Sequence, residues 1–191
     1  MNGSSIGAVF AGALSVARYT ERLSDDRLAL HRRYRDRAPI DDGAVALLRD
    51  SAVRAGLVIT EPWCGDSLAI FPVLEKLFAD ANLNLRVALR DEHPELMDQY
   101  LTRGGRAIPI LITLGEHHEP LFRWGPRPAP AQAIVEEHRE AIATGRIERA
   151  EVHKMVRSFY ARDGGATIVR ELLEAITRLR QEASGNSLSM L

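Results

Sequence analysis

Apolar positions along this chain fall into blocks whose period switches between the helical and the extended repeat. Leu83, Leu85, Val87 and Leu89 alternate with Asn84, Arg86 and Ala88, which predicts a strand. Leu57 to Thr60 is a continuous apolar run of strand length. Ile108 to Leu114 is another, with Pro109 near its start, where sheets tolerate proline. Pro120 to Trp124 follows the turn at Gly115 to Glu119 as a hairpin partner.

Helical blocks fill the gaps. Tyr19 to Arg37 predicts one helix with Tyr19, Leu23, Leu30 and Tyr34 near one face, ended by Ala38-Pro39 because the residue before a proline is pushed out of the α region. Asp41 to Val53 predicts a second, capped by an aspartate. Leu68 to Asp80 predicts a third, which Pro72 should kink by removing a backbone donor. Pro94 to Leu101 reads as a short helix with proline in its first turn, and Ala131 to Ala143 as one stopped by Gly145. Val152, Met155, Val156 and Phe159 mark another. Ile168, Leu172, Leu173, Ile176 and Leu179 mark the last, after a turn at Asp163-Gly164-Gly165. The order β-α-β-α-β-β-α, with helices added at both ends, predicts an α/β fold built on a mixed sheet. Residues 1–43 are expected as an N-terminal segment and helix packed on the core, 44–143 as the central domain, 144–183 as an appended helical hairpin and 184–191 as a flexible tail, in one compact unit.

Composition narrows the function classes. Of 191 residues, 46% are hydrophobic and 27% charged, which is ordinary for a globular protein. A formal net charge of −1 argues against a broad attraction to nucleic acid or to an anionic membrane. The apolar segment Ile6 to Ala17 is too short to span a bilayer, and no Lys or Arg precedes it as a secretory signal requires. It is expected to pack on the core. A single cysteine precludes an intramolecular disulfide and fits a reducing, cytoplasmic compartment. His117-His118 reads as a polar turn, so no metal is expected. No phosphate loop, Ser-His-Asp set or carboxylate pair is evident.

Chemistry concentrates at Trp63-Cys64-Gly65-Asp66-Ser67, between a predicted strand and a predicted helix. Unpaired N–H groups and partial positive charge at a helix N-terminus favour a thiolate. Asp66 opposes it by placing a negative charge nearby, so the net pKa is not set by sequence. Asp66 reads equally as an ordinary first-turn residue stabilised by the helix dipole. Ser67 can hydrogen-bond the thiolate or a backbone group in the first helical turn. Trp63 is expected to shield the thiol and offer a flat contact surface.

The strand and helix order, Trp63-Cys64-Gly65, and Ile108-Pro109 before the third strand together resemble the thioredoxin superfamily. Pro72 lies eight residues after Cys64, Pro109 forty-five after it, and Gly125 sixteen after Pro109, close to the family separations. Glu61-Pro62-Trp63-Cys64-Gly65-Asp66, Arg90-Asp91-Glu92, Leu96 to Leu101, Gly104-Gly105 and Trp124-Gly125-Pro126-Arg127-Pro128 resemble bacterial thioredoxin-like proteins with a WCGD motif. The resemblance covers about Ala44 to Ala143. It implies a thioredoxin-like, four-stranded mixed central sheet flanked by helices, with extra N-terminal helices and a C-terminal helical hairpin. It also implies that Pro109 is cis against Cys64, and that the Ile108 backbone pairs with an extended substrate segment. Two departures matter. Ser67 replaces the resolving cysteine (CGDS), and Val58, six residues before Cys64, replaces the buried carboxylate. Both argue against a dithiol disulfide reductase.

Two functions are therefore expected to compete. The first is a monothiol redox protein in which Cys64, with Asp66 and Ser67, forms a mixed disulfide that an external thiol resolves. Trp63, Gly65, Ile108, Pro109, Trp124 and Arg127 would contact its substrate, a protein or small-molecule thiol or disulfide. It needs no cofactor, and glutathione or another low-molecular-weight thiol would serve as co-substrate. Arg90, Arg106, Arg123 and Arg127, at strand ends and loops, can bind carboxylate or phosphate. The second is a non-catalytic binding module that keeps the thioredoxin groove. Neither reading fixes the oligomeric state.

Overall fold

The structure, a computed structural model, describes residues 6–188. Strands β1 (Leu14–Ser15), β2 (Ala55–Thr60), β3 (Asn84–Leu89), β4 (Ile110–Leu114) and β5 (Pro120–Trp124) form one sheet in the order β1-β3-β2-β4-β5. β2 and β3 are parallel, with Val58 opposite Val87, and the other pairs are antiparallel. The expected four-stranded mixed sheet is thus present. The N-terminal apolar segment adds to it a two-residue edge strand that the hydrophobic pattern was too short to reveal.

Helices cover both faces, which is why β2 is buried at every residue and reads as an apolar run rather than an alternation. On one face Val58, Val87 and Leu111 pack with α4 (Asp42–Arg49), α5 (Gly65–Asp80), α9 (Arg149–Asp163) and α10 (Ala166–Leu188). On the other, Leu57, Ile59, Ile110 and Ile112 pack with Phe10 of α1 (Ile6–Gly12) and with Leu96 and Met97 of α6 (Pro94–Met97). α5 lies so close to β2 that a Cβ on Gly56 would sit 2.7 Å from the Phe78 ring and from Leu85.

Several expected helices differ. The helix expected from Tyr19 to Arg37 is two, α2 (Val16–Thr20) and α3 (Asp25–Arg37), because Ser24 takes the extended N-cap conformation and Asp25 and Asp26 begin a new first turn. The helix expected over Ala131 to Ala143 begins earlier and breaks into α7 (Ala129–Glu137) and α8 (Arg139–Ala143). The break is at His138, whose ring Nδ1–H donates to the Ile134 carbonyl (2.9 Å) while its backbone leaves the helical region. α4 ends at Arg49, short of Val53, and is capped by the Asp41 carboxylate on the Ala44 N–H (2.8 Å). α6 is a single turn. α5 starts at Gly65 and runs through Pro72 to Asp80 without a break. The tail expected to be flexible from residue 184 is helical to Leu188, and residues 189–191 lie outside the described residues. No helix among the described residues is long and apolar enough to cross a membrane.

Candidate active site

Strand β2 ends at Thr60 and turns through Glu61 to Trp63 into α5, which makes Cys64 the helix N-cap (φ −69°, ψ 124°). The Cys64 N–H closes this turn on the Glu61 carbonyl (3.1 Å). Two side chains from the N-terminal helices clamp it from outside. The Tyr19 hydroxyl donates to the Glu61 carbonyl (3.3 Å), and Arg27 Nη1 donates to the Pro62 carbonyl (3.1 Å). The Glu61 carboxylate accepts the Asp91 N–H (2.8 Å) and so ties the turn to the end of β3.

Cys64 is only 8% exposed, and its Sγ–H donates to the Ile108 carbonyl at 3.6 Å. The Ile108–Pro109 bond is cis. Behind it, Gly125 at φ +112° comes so near that a Cβ there would lie 2.4 Å from the Pro109 carbonyl oxygen, an approach that only glycine permits. Cys64, Ile108 and Pro109 are therefore gathered at one place by β2, β4 and β5.

The electrostatics of the thiol, open at the level of sequence, come down on the neutral side. Burial pushes the Cys64 pKa up, and the Asp66 carboxylate adds to the shift. The Ser67 hydroxyl and the N–H groups of Ser67 and Asp66 pull it down without offsetting the burial. The helix terminus favours the thiolate, but desolvation outweighs it.

Asp66 is pinned rather than free. Its Oδ2 lies 2.6 Å from Arg127 Nη2, with the two side chains 14% and 18% exposed. Its Oδ1 accepts the Tyr160 hydroxyl at 3.0 Å. Burial, then the Asp66 charge, hold the Tyr160 phenol far above its ordinary range. Arg127 Nη1 also donates to Gln132 Oε1 (3.3 Å). Asp66 thus fastens the first turn of α5 to the loop before α7 and to α9. Ser67 is 1% exposed and its hydroxyl bonds that of Thr60, so it faces the core.

Trp63 is 53% exposed beside the thiol, and the Arg90 guanidinium lies 4.8 Å from its ring centroid. Trp124 does not join it. It is buried at 9%, and its indole N–H donates to Glu171 of α10 (3.0 Å). Trp124 accordingly anchors the C-terminal helix. Arg106 and Arg123 are likewise engaged, the first with Asp98 (2.7 Å) and the second with the Tyr100 and Leu101 carbonyls. Thr60, Tyr160 and Glu171 were not anticipated. Tyr160 lies on the apolar stripe of α9, but nothing in the sequence links it to a residue 94 positions away. Among the described residues no group of three or more His, Cys, Asp or Glu gathers to hold a metal ion.

A family model described as thioredoxin matches residues 14–141. No curated protein matches the chain. Among solved structures, a protein of unknown function from Pseudomonas aeruginosa is 20% identical, with a TM-score of 0.60 over 86% of this chain and 99% of that one. An HIV epitope-scaffold is 18% identical, with a TM-score of 0.67 over 91% of this chain and 98% of that one. At these identities the two likenesses speak to the fold alone.

Proposed function

The chain belongs to the thioredoxin family, and on that premise we propose that it is a monothiol protein whose Cys64 forms a mixed disulfide with a substrate docked beside Pro109. The observation that carries this reading is the Cys64 Sγ–H on the Ile108 carbonyl, next to the cis bond. It puts the sulfur at the backbone an extended segment would pair with, while exposed Trp63 supplies a flat flank. The Trp63-Cys64-Gly65-Asp66 motif supports a place among bacterial thioredoxin-like proteins that share it, working in a reducing, cytoplasmic setting.

In the reaction, Cys64 loses its proton to solvent, because no base stands at Val58 or Ser67. The thiolate attacks one sulfur of the substrate disulfide, the S–S bond breaks, and the other half leaves as a thiolate. An external thiol such as glutathione, as its thiolate, then attacks the substrate sulfur of the mixed disulfide; the substrate leaves as a disulfide with the external thiol, and Cys64 leaves as a thiolate that takes a proton from solvent. A raised pKa makes this slow. Each unit removes about tenfold of the thiolate and returns only about threefold through greater nucleophilicity.

The same raised pKa favours a second reading, a binding module that keeps the groove without turnover. Trapping separates the two. The reduced protein is incubated in lysate, quenched with acid, and its disulfide-linked partners are identified by mass spectrometry, with Cys64→Ser alongside. The monothiol reading expects partners linked through Cys64 and absent from C64S. Partners held without a covalent bond, in equal amount by both proteins, would support the binding module instead.

A further inference from the structure

We propose that the cleft between α8 and α9 binds a small organic anion that carries an apolar body, independently of the thiol chemistry. The cleft has a volume of about 400 Å³. Its floor is apolar, from Val135 of α7, Ile142 of α8 and Val152 of α9. Its polar wall is basic, formed by Arg127, Arg139, Arg149 and His153, and no acidic residue lines it. A smaller cavity of about 70 Å³ adjoins it, shares Arg127 and His153, and adds Arg157.

The basic charge there is not balanced locally. Asp66 is the acid in the smaller cavity, and Arg127 and Tyr160 already occupy its oxygens. Arg139 has only a 3.7 Å pairing with Glu136, a carboxylate that Arg103 also engages. The side chains of Arg149, His153 and Arg157 make no hydrogen bond or ion pair among the described residues. A chain of net charge −1 thus concentrates four arginines around two adjoining cavities, three of them on the larger.

Arg127 lines both cavities, with Nη2 paired to Asp66 and Nη1 donating to Gln132, so it sets a fixed positive charge at their junction and leaves direct ligand contact to Arg139 and Arg149. Arginine suits planar oxyanions, and the apolar floor selects for an anion with a hydrocarbon or aryl portion over a bare ion. The cleft is concave and small, so a free molecule fits it better than a bilayer surface.

Calorimetric titration of the full chain with octanoate tests this, with acetate and phosphatidylglycerol vesicles as comparison probes. The expected result is saturable octanoate binding that added salt weakens and that R139A/R149A reduces at least tenfold, with acetate binding far more weakly. Arg149→Glu alone should also abolish binding, and it replaces a side chain with no partner among the described residues. Octanoate binding unchanged in both variants, acetate binding as tight as octanoate, or binding to vesicles without binding to octanoate would each overturn the proposal.

Discussion

Replacing Asp66 by asparagine separates the two effects that this carboxylate has on the site. Its ion pair with Arg127 is short, at 2.6 Å, and both side chains are less than a fifth exposed. Breaking a fully buried pair costs about 3–5 kcal/mol and losing an exposed one about 0–1, so this burial places the loss at about 2–3 kcal/mol. Asparagine keeps an oxygen for the Tyr160 hydroxyl, which limits further damage. For a chain of this size each kcal/mol moves the melting temperature by about 2–4 °C, so D66N should melt about 4–12 °C lower. The thiol should respond in the opposite sense. The Asp66 charge raises the Cys64 pKa, so removing it should move the midpoint of iodoacetamide alkylation to lower pH and speed the reaction near neutrality. Thermal melts and alkylation rates across pH measure both. A melting temperature unchanged within error, or a thiol no more acidic than in the wild type, would refute the assignment of Asp66 as a structural anchor that holds the thiol protonated.

Alkaline pH should destabilise the fold. Burial raises Cys64, Tyr19 and Tyr160 above their unfolded values, so their contribution is complete below those values and is lost as pH rises through the folded ones. Urea melts should therefore show falling stability from about pH 8.5 upward, with the earliest part of the fall missing in Cys64→Ala. Ser67→Ala should cost about 1–3 kcal/mol in the same assay, because it removes the hydroxyl that the fully buried Thr60 hydroxyl bonds. Ser67→Cys should restore a second thiol within reach of Cys64, and oxidation should then consume both thiols in one chain; two free thiols after oxidation would count against the geometry. Gly56→Ala should cost about 1–3 kcal/mol by forcing a methyl group against Phe78 and Leu85.

The sheet was readable because β3 alternates faces and the runs around β2 and β4 are apolar on both sides, patterns that local sequence carries. The helix breaks after Thr20 and at His138 were not. The first depends on Ser24 adopting an N-cap conformation inside a segment of good helix formers, the second on a side chain bonding back to the helix. At the site, the clustering of Cys64 with Ile108 and Pro109 was anticipated through family spacings. Burial and distant partners were not, because they depend on which element packs where. Trp124 is tied to α10, Asp66 is claimed by Tyr160 of α9, and the thiol lies deep enough for desolvation to outweigh the helix terminus. Each of these is a long-range contact with no local signature.

Intact-mass analysis of the reduced protein incubated with oxidised glutathione tests the central claim most directly. The monothiol account predicts one glutathionyl group on Cys64, formed faster as pH rises, persistent until an external thiol is added, and absent from Cys64→Ser. No adduct at any pH, or an adduct that clears itself without added thiol, would contradict it.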